Sequence, residues 1–151
     1  MRTSSPGFTL IELVTTIVVV GILALSFAPL ENFQQFNVEM AAQKVEQEIR
    51  FAKELASTSN ANHGFSFATN AAYTVYRQPG FVPVTNPLTQ QPLTTNITNE
   101  YHNVHILNSG SFEFDPMGKP VVGGGTSVQL GDNTYTVTIN VSANTGIISR
   151  L

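Results

Sequence analysis

The sequence predicts an α+β fold, a long N-terminal helix whose first half spans a membrane and whose second half packs on an antiparallel β-sheet head. Three observations predict it. Residues 8–30 form one apolar run with a single ionisable residue, Glu12. Apolar residues then recur at three- and four-residue spacing up to residue 56, and beyond His63 the period falls to two. The chain of 151 residues suits one domain of ordinary size. Charged residues are only 11%, but ten Phe and four Tyr supply material for a core, so the low charge is not the signature of disorder. A net charge of -3 argues against an electrostatic nucleic-acid binder. The absence of cysteine excludes disulfides, thiol catalysis and thiolate metal sites.

The first seven residues, MRTSSPG, form a short polar leader with one positive charge at Arg2. The run from Phe8 to Leu30 has 23 residues, roughly 35 Å as a helix and enough for a bilayer core of about 30 Å. It is apolar all round, as a span is and a surface helix is not. Arg2 favours a cytoplasmic leader, with the rest of the chain facing out. Hydropathy alone leaves a single-pass anchor or a secretory signal, although the small residue of a signal follows its apolar run and here Gly7 precedes it. Glu12 adds to this. A carboxylate inside a membrane segment costs about 2.5–3.5 kcal/mol and marks a function or a partner, unless it snorkels to the headgroups. Cleavage after Gly7 would create an α-amino cation on Phe8, and Glu12 of one subunit could pair with that amine on a neighbour, relieving two buried charges at once.

Residues Gly7-Phe8-Thr9-Leu10-Ile11-Glu12-Leu13 resemble the class III signal of type IV pilins and type II secretion pseudopilins. The resemblance implies that prepilin peptidase cuts between Gly7 and Phe8 and N-methylates Phe8, and that Glu12 guides assembly into a helical filament. It also implies a helix kink at Pro29, where proline lacks a backbone N–H. Gly21 could loosen the helix or permit close packing. The implied partners are prepilin peptidase, other pilins or pseudopilins, and an inner-membrane assembly platform. The implied location is the bacterial inner membrane, single-pass with the head in the periplasm, then an extracellular or periplasmic filament. The resulting divisions are a leader over 1–7, a filament-core helix over 8–30, an amphipathic helix over 31–59 and a β-rich head over 60–151.

Val38, Ala42, Val45, Ile49, Ala52 and Ala56 form the apolar stripe of the second helix, with Glu46 and Arg50 giving i,i+4 support on its solvated face. The helix ends over Ser57-Thr58-Ser59-Asn60. If it continues from the span, Phe8 to Ser57 is 50 residues, roughly 75 Å. Strands are expected at Gly64–Phe67 and Tyr73–Tyr76, then a Pro-rich stretch from Gln78 to Asn99 that is mostly loop with at most an edge strand. Strand signals resume at Asn103–Leu107 and Phe112–Phe114, followed by a type I turn at Asp115-Pro116-Met117-Gly118. Val128–Leu130, Tyr135–Val141 and Ile147–Leu151 complete the strand signals.

Within the pilin superfamily the second half most resembles GspH/FimT-type minor pilins. The segments concerned are Ile49–Ala56, Phe112–Gly118, and Val137–Ile139 leading to Thr145-Gly146-Ile147. Two departures stand out. Some DNA-binding members carry a basic C-terminal tail where this chain has only Arg150, and several major pilins carry a disulfide loop that a chain without cysteine lacks.

Catalytic chemistry finds little support. His102 and His105 point to opposite faces of a strand, His63 stands apart, and no metal or cofactor site is expected. Gly123-Gly124-Gly125 lacks the Lys-Ser/Thr and helix of a phosphate loop and reads as a turn. Asn96-Ile97-Thr98 and Asn140-Val141-Ser142 match a glycosylation pattern that carries no information in a bacterial chain. The chain reads as the substrate of an enzyme rather than as an enzyme. The expected function is a minor pilin or pseudopilin in a type IV pilus or type II secretion filament. The alternatives are a DNA-receptor pilin, which would need a Lys/Arg cluster on the head, and the major subunit of an extracellular fibre.

Overall fold

The computed structural model describes residues 7, 9–26, 32–70, 72–132 and 134–151. The chain divides into two compact units, Met1–Asn32 and Phe33–Leu151. In the first, helix α1 runs over Leu10–Ser26, 17 residues. The expected 8–30 span reaches past these bounds at both ends. Phe8 and residues 27–31, with the Pro29 kink, lie outside the described residues. Among the described residues no helix is long and apolar enough to cross a membrane.

In the second unit, helix α2 spans Asn32–Ser59. Val38, Ala41, Ala42, Val45, Ile49, Ala52 and Ala56 are fully buried, so the expected stripe is the face that enters the core, with Ala41 added to it. Small residues dominate the stripe, which lets the helix lie close to the sheets. Asn60 stops α2 in the left-handed conformation, φ 50°, where Asn is tolerated better than most residues.

Ten strands follow among the described residues: β1 (His63–Phe67), β2 (Ala72–Arg77), β3 (Val82–Pro83), β4 (Thr94–Asn96), β5 (His105–Ile106), β6 (Gly110–Phe114), β7 (Pro120–Val122), β8 (Ser127–Gly131), β9 (Thr136–Val141) and β10 (Ile148–Arg150). A short helix, α3 (Ile97–Glu100), lies between β4 and β5. All pairings are antiparallel. One sheet has the order β3-β2-β1-β6-β7, with β4 also paired to β2, and the other has β10-β9-β8-β5.

Register explains which side chains reach the core. Phe65 lies opposite both Val75 and Phe112, and Phe67 opposite Tyr73, so one face of the first sheet is an aromatic layer. Phe65 and Tyr73 stack with ring centroids 4.9 Å apart. Val128, Leu130, Val137, Ile139, Val141 and Ile148 supply the second sheet's share of the same core cluster. The fold class is therefore α+β, with a helix packed on antiparallel sheet, as the sequence predicts.

The stretch from Gln78 to Asn99 is a correction. Most of it is loop and turn, as expected, but it holds two short strands rather than at most one and forms an arm that returns along β2, with β3 and β4 both paired to that strand and Thr85 bridged to Pro92. Its pairing uses backbone groups at an edge, such as Val84 N–H to Val75 O at 2.8 Å, so prolines and polar side chains do not prevent it. Asn96 then caps α3, its side chain accepting from Thr98 N–H. β7 was also not expected, and Gly123-Gly124-Gly125 is the turn that joins it to β8.

Candidate processing and assembly site

Gly7 is exposed, and a Cβ placed on it would meet nothing within 4 Å. Thr9 caps α1. Its Oγ1 accepts from Glu12 N–H at 3.3 Å, and its carbonyl from Leu13 N–H at 3.1 Å. The Thr9 hydroxyl also lies 3.4 Å from Glu12 Oε2. Thr and Glu three apart at a helix start have the spacing of a capping box, a signal present in the sequence but not read from it. Glu12 thus sits in the first turn of α1, where the positive end of the helix dipole favours a carboxylate.

The rest of α1 offers neighbours almost nothing but hydrocarbon. Val14 is the least exposed of its described large apolar side chains and is still 45% exposed. The two threonines satisfy themselves: Thr15 donates to Ile11 O at 2.9 Å and Thr16 to Leu13 O at 2.9 Å. Glu12 is the sole ionisable group of the described helix. Nothing lies within 4 Å of the Cβ position at Gly21, which leaves a notch for close approach.

On the head, charged side chains of α2 bind the last strand and turn. Glu39 pairs with Arg150 at 2.9 Å, and Arg50 bridges Glu46 at 2.6 Å and the carbonyl of Ile148 at 3.0 Å. Lys53 donates to the carbonyls of Thr145 and Gly146 at 3.3 and 2.9 Å. Gly118 and Gly146 both have positive φ and lie against the Lys53 side chain. Three segments noted in the sequence, around Lys53, Gly118 and Gly146, therefore meet at one point. On the other flank Lys44 pairs with Glu100 of α3.

A second polar network lies on the outer face of the first sheet. The buried Glu113 carboxylate accepts from Asn62 at 3.0 Å and from Gln78 at 3.3 Å. Tyr76, also buried, has its phenol pushed above its ordinary value by burial and by Glu113. Gln78 in turn accepts from Gly80 N–H at 3.0 Å, which fixes the exit of the arm from β2.

Of the head's cations, only Arg77 and Lys119 make no ion pair or side-chain hydrogen bond among the described residues. His63 Nδ1 faces the Ala61 carbonyl at 3.0 Å, and His105 Nδ1 lies 3.4 Å from the Thr98 hydroxyl. Among the described residues no group of three His, Cys, Asp or Glu could hold a metal.

Residues 2–28 match the family model described as the prokaryotic N-terminal methylation motif. The matched stretch contains Gly7, Phe8 and Glu12. It gives the chain the N-terminus of a type IV pilin-like prepilin, the kind of substrate that prepilin peptidase processes, and the family defined by that motif is structural rather than enzymatic. No curated protein and no solved structure matches the chain.

Proposed function

We propose that the chain is a filament subunit, a minor pilin or pseudopilin of a type IV pilus or type II secretion system. Prepilin peptidase cuts between Gly7 and Phe8 and methylates the new Phe8 amine. Until assembly, residues 8–30 anchor the protein in the bacterial inner membrane with the head in the periplasm. Pro29 then bends the helix at its exit. An inner-membrane platform moves the helix from lipid into the filament core, and Glu12 pairs with the Phe8 amine of an adjacent subunit.

The observation that carries this reading is the match over residues 2–28 on a helix whose sole ionisable group is Glu12. The physical argument is one of exchange. α1 trades lipid contacts for helix contacts of similar strength, so apolar packing alone supplies little net drive. A carboxylate that costs about 2.5–3.5 kcal/mol in lipid gains a cationic partner on assembly, and this favours the filament. The engagement of Lys44, Arg50, Lys53 and Arg150 within the head supports a filament subunit over a DNA receptor, since it leaves Arg77 and Lys119 as the head's two unengaged cations among the described residues, too few for a basic patch.

Mass spectrometry of the protein from cells with active prepilin peptidase should find Phe8 as a methylated N-terminus. Glu12→Ala should leave cleavage intact and deplete the subunit from sheared filaments. Retention of residues 1–7, or undiminished incorporation of the Glu12 variant, would overturn the reading.

A further inference from the structure

Two exposed features of the head have complementary chemistry. The first is a groove along α2 made of two cavities of about 370 and 260 Å³, one against the arm and one against Tyr101, that share Gln47 and Glu48 in their walls. Phe51, Leu93 and Pro87 line one and Met40 and Tyr101 the other. Glu48 stands half-buried between them and makes no hydrogen bond or ion pair among the described residues, because Lys44 is taken by Glu100. Burial pushes its carboxyl above the ordinary value, against the pull of Lys44 and with the help of Glu100. A carboxylate set among apolar walls suits a cation that arrives on an apolar stem.

The second feature is the turn at Asp115–Gly118. Asp115 Oδ1 accepts from the N–H groups of Met117 and Lys119, both at 2.9 Å, and the Asp115 carbonyl accepts from Gly118 N–H at 2.8 Å. The turn so held projects Met117, which is 91% exposed, beside an exposed Lys119. An unbranched thioether fits irregular apolar gaps, and the neighbouring ammonium supplies the charge.

The turn and the groove lie on opposite flanks of α2. Gly118 backs onto Lys53, whose flank carries Glu39 and Arg50, whereas the groove follows the flank of Lys44 and Glu48. One chain cannot fill its own groove. A contact of this kind is heterologous, so each copy offers one knob and one groove and the series extends or closes into a ring.

We propose that the Asp115–Gly118 turn of one copy docks in the α2 groove of a second, Met117 entering between the apolar walls and Lys119 pairing with Glu48. The proposal deepens the reading of the chain as a filament subunit, and rests on it for the side-by-side placement of copies. The knob is held by its own hydrogen bonds before it meets the groove, which lowers the ordering cost of docking.

The chain has no native cysteine, so introduced ones report without background. Full-length Met117→Cys and Gln47→Cys variants, mixed and mildly oxidised, should give a disulfide-linked dimer that neither forms alone. The double variant should give a ladder. Lys119→Glu should cut the mixed dimer severalfold, and Glu48→Lys added to it should restore the yield. The mass of the N-terminus is read from the same samples. A mature Phe8 N-terminus with no mixed dimer would overturn the docking alone. A mixed dimer on chains that keep the leader would overturn the filament reading alone, and failure of both would remove both. Dimers of Met117→Cys by itself, or no recovery in the charge swap, would also overturn the docking.

Discussion

Gly64 sits on β1 opposite Tyr76 and Glu113, on the face away from the aromatic layer. A Cβ there would run into the Tyr76 ring and stand 2.7 Å from the Phe112 carbonyl oxygen. Tyr76 cannot retreat easily, since it stacks on Phe81 at 3.9 Å between centroids. Gly64→Ala should therefore cost about 1–3 kcal/mol, the range for overpacking, measured as a fall in the unfolding temperature of the full chain in detergent. Glu48 gives a pH dependence whose sign is fixed by its environment. Its folded carboxyl lies above the ordinary 4.5, so the folded chain takes up the proton first as pH falls, and stability declines as pH rises through that window. Glu48→Gln should raise the unfolding temperature at neutral pH more than at pH 4. An equal effect at both pH values would mean that ionisation is not the cause. Neither effect was legible in the sequence, where Gly64 reads only as a strand residue and Glu48 as one more charge on a solvated face. Thr9 is different, because its spacing to Glu12 was visible and simply not read as a cap.

At the scale of elements, α2 separates what periodicity can predict from what it cannot. Ile49 is buried at the centre of the stripe, whereas Gln43 looks outward. Ile49→Ala should cost about 2–5 kcal/mol, and Gln43→Ala should stay within about 0.5 kcal/mol. Thermal unfolding of the two variants checks the contrast, and similar losses would show that the helix is not held by that stripe. The stripe was legible because each of its residues faces one core at a fixed angular step. Strands β1, β2, β6, β8 and β9 were legible for the same reason, their alternation being imposed by one buried face. The arm was not legible. β3 and β4 carry exposed or half-buried side chains and are held by ladder bonds to the edge of β2, so no alternation is imposed on them. α3 has four residues, too few for a period, and its one local signal was the Asn96 cap. β7 begins on Pro120 and exposes Val121 and Val122, which no pattern of alternating burial would mark.

For the whole molecule, the two units differ in whether their apolar surface finds a partner inside the chain. The core cluster runs from Val38 to Ile148, and every one of its members belongs to the unit that starts at Phe33. The described part of α1 instead leaves its large side chains open. Burial within residues 33–151 should then be sufficient for folding, with α1 adding little to the stability of the head. The sequence pointed to this division through its change of composition after residue 30, and to the place of α2 in the head's core through its apolar stripe. Residues 33–151 expressed alone should unfold in one cooperative transition, within a few degrees of the transition in the full-length chain. They should also retain the protection of Ile49 and Phe65 amides against hydrogen exchange. A fragment that binds hydrophobic dyes and melts without a transition would mean that the core needs the first unit, and that the apolar helix serves the fold as well as the assembly.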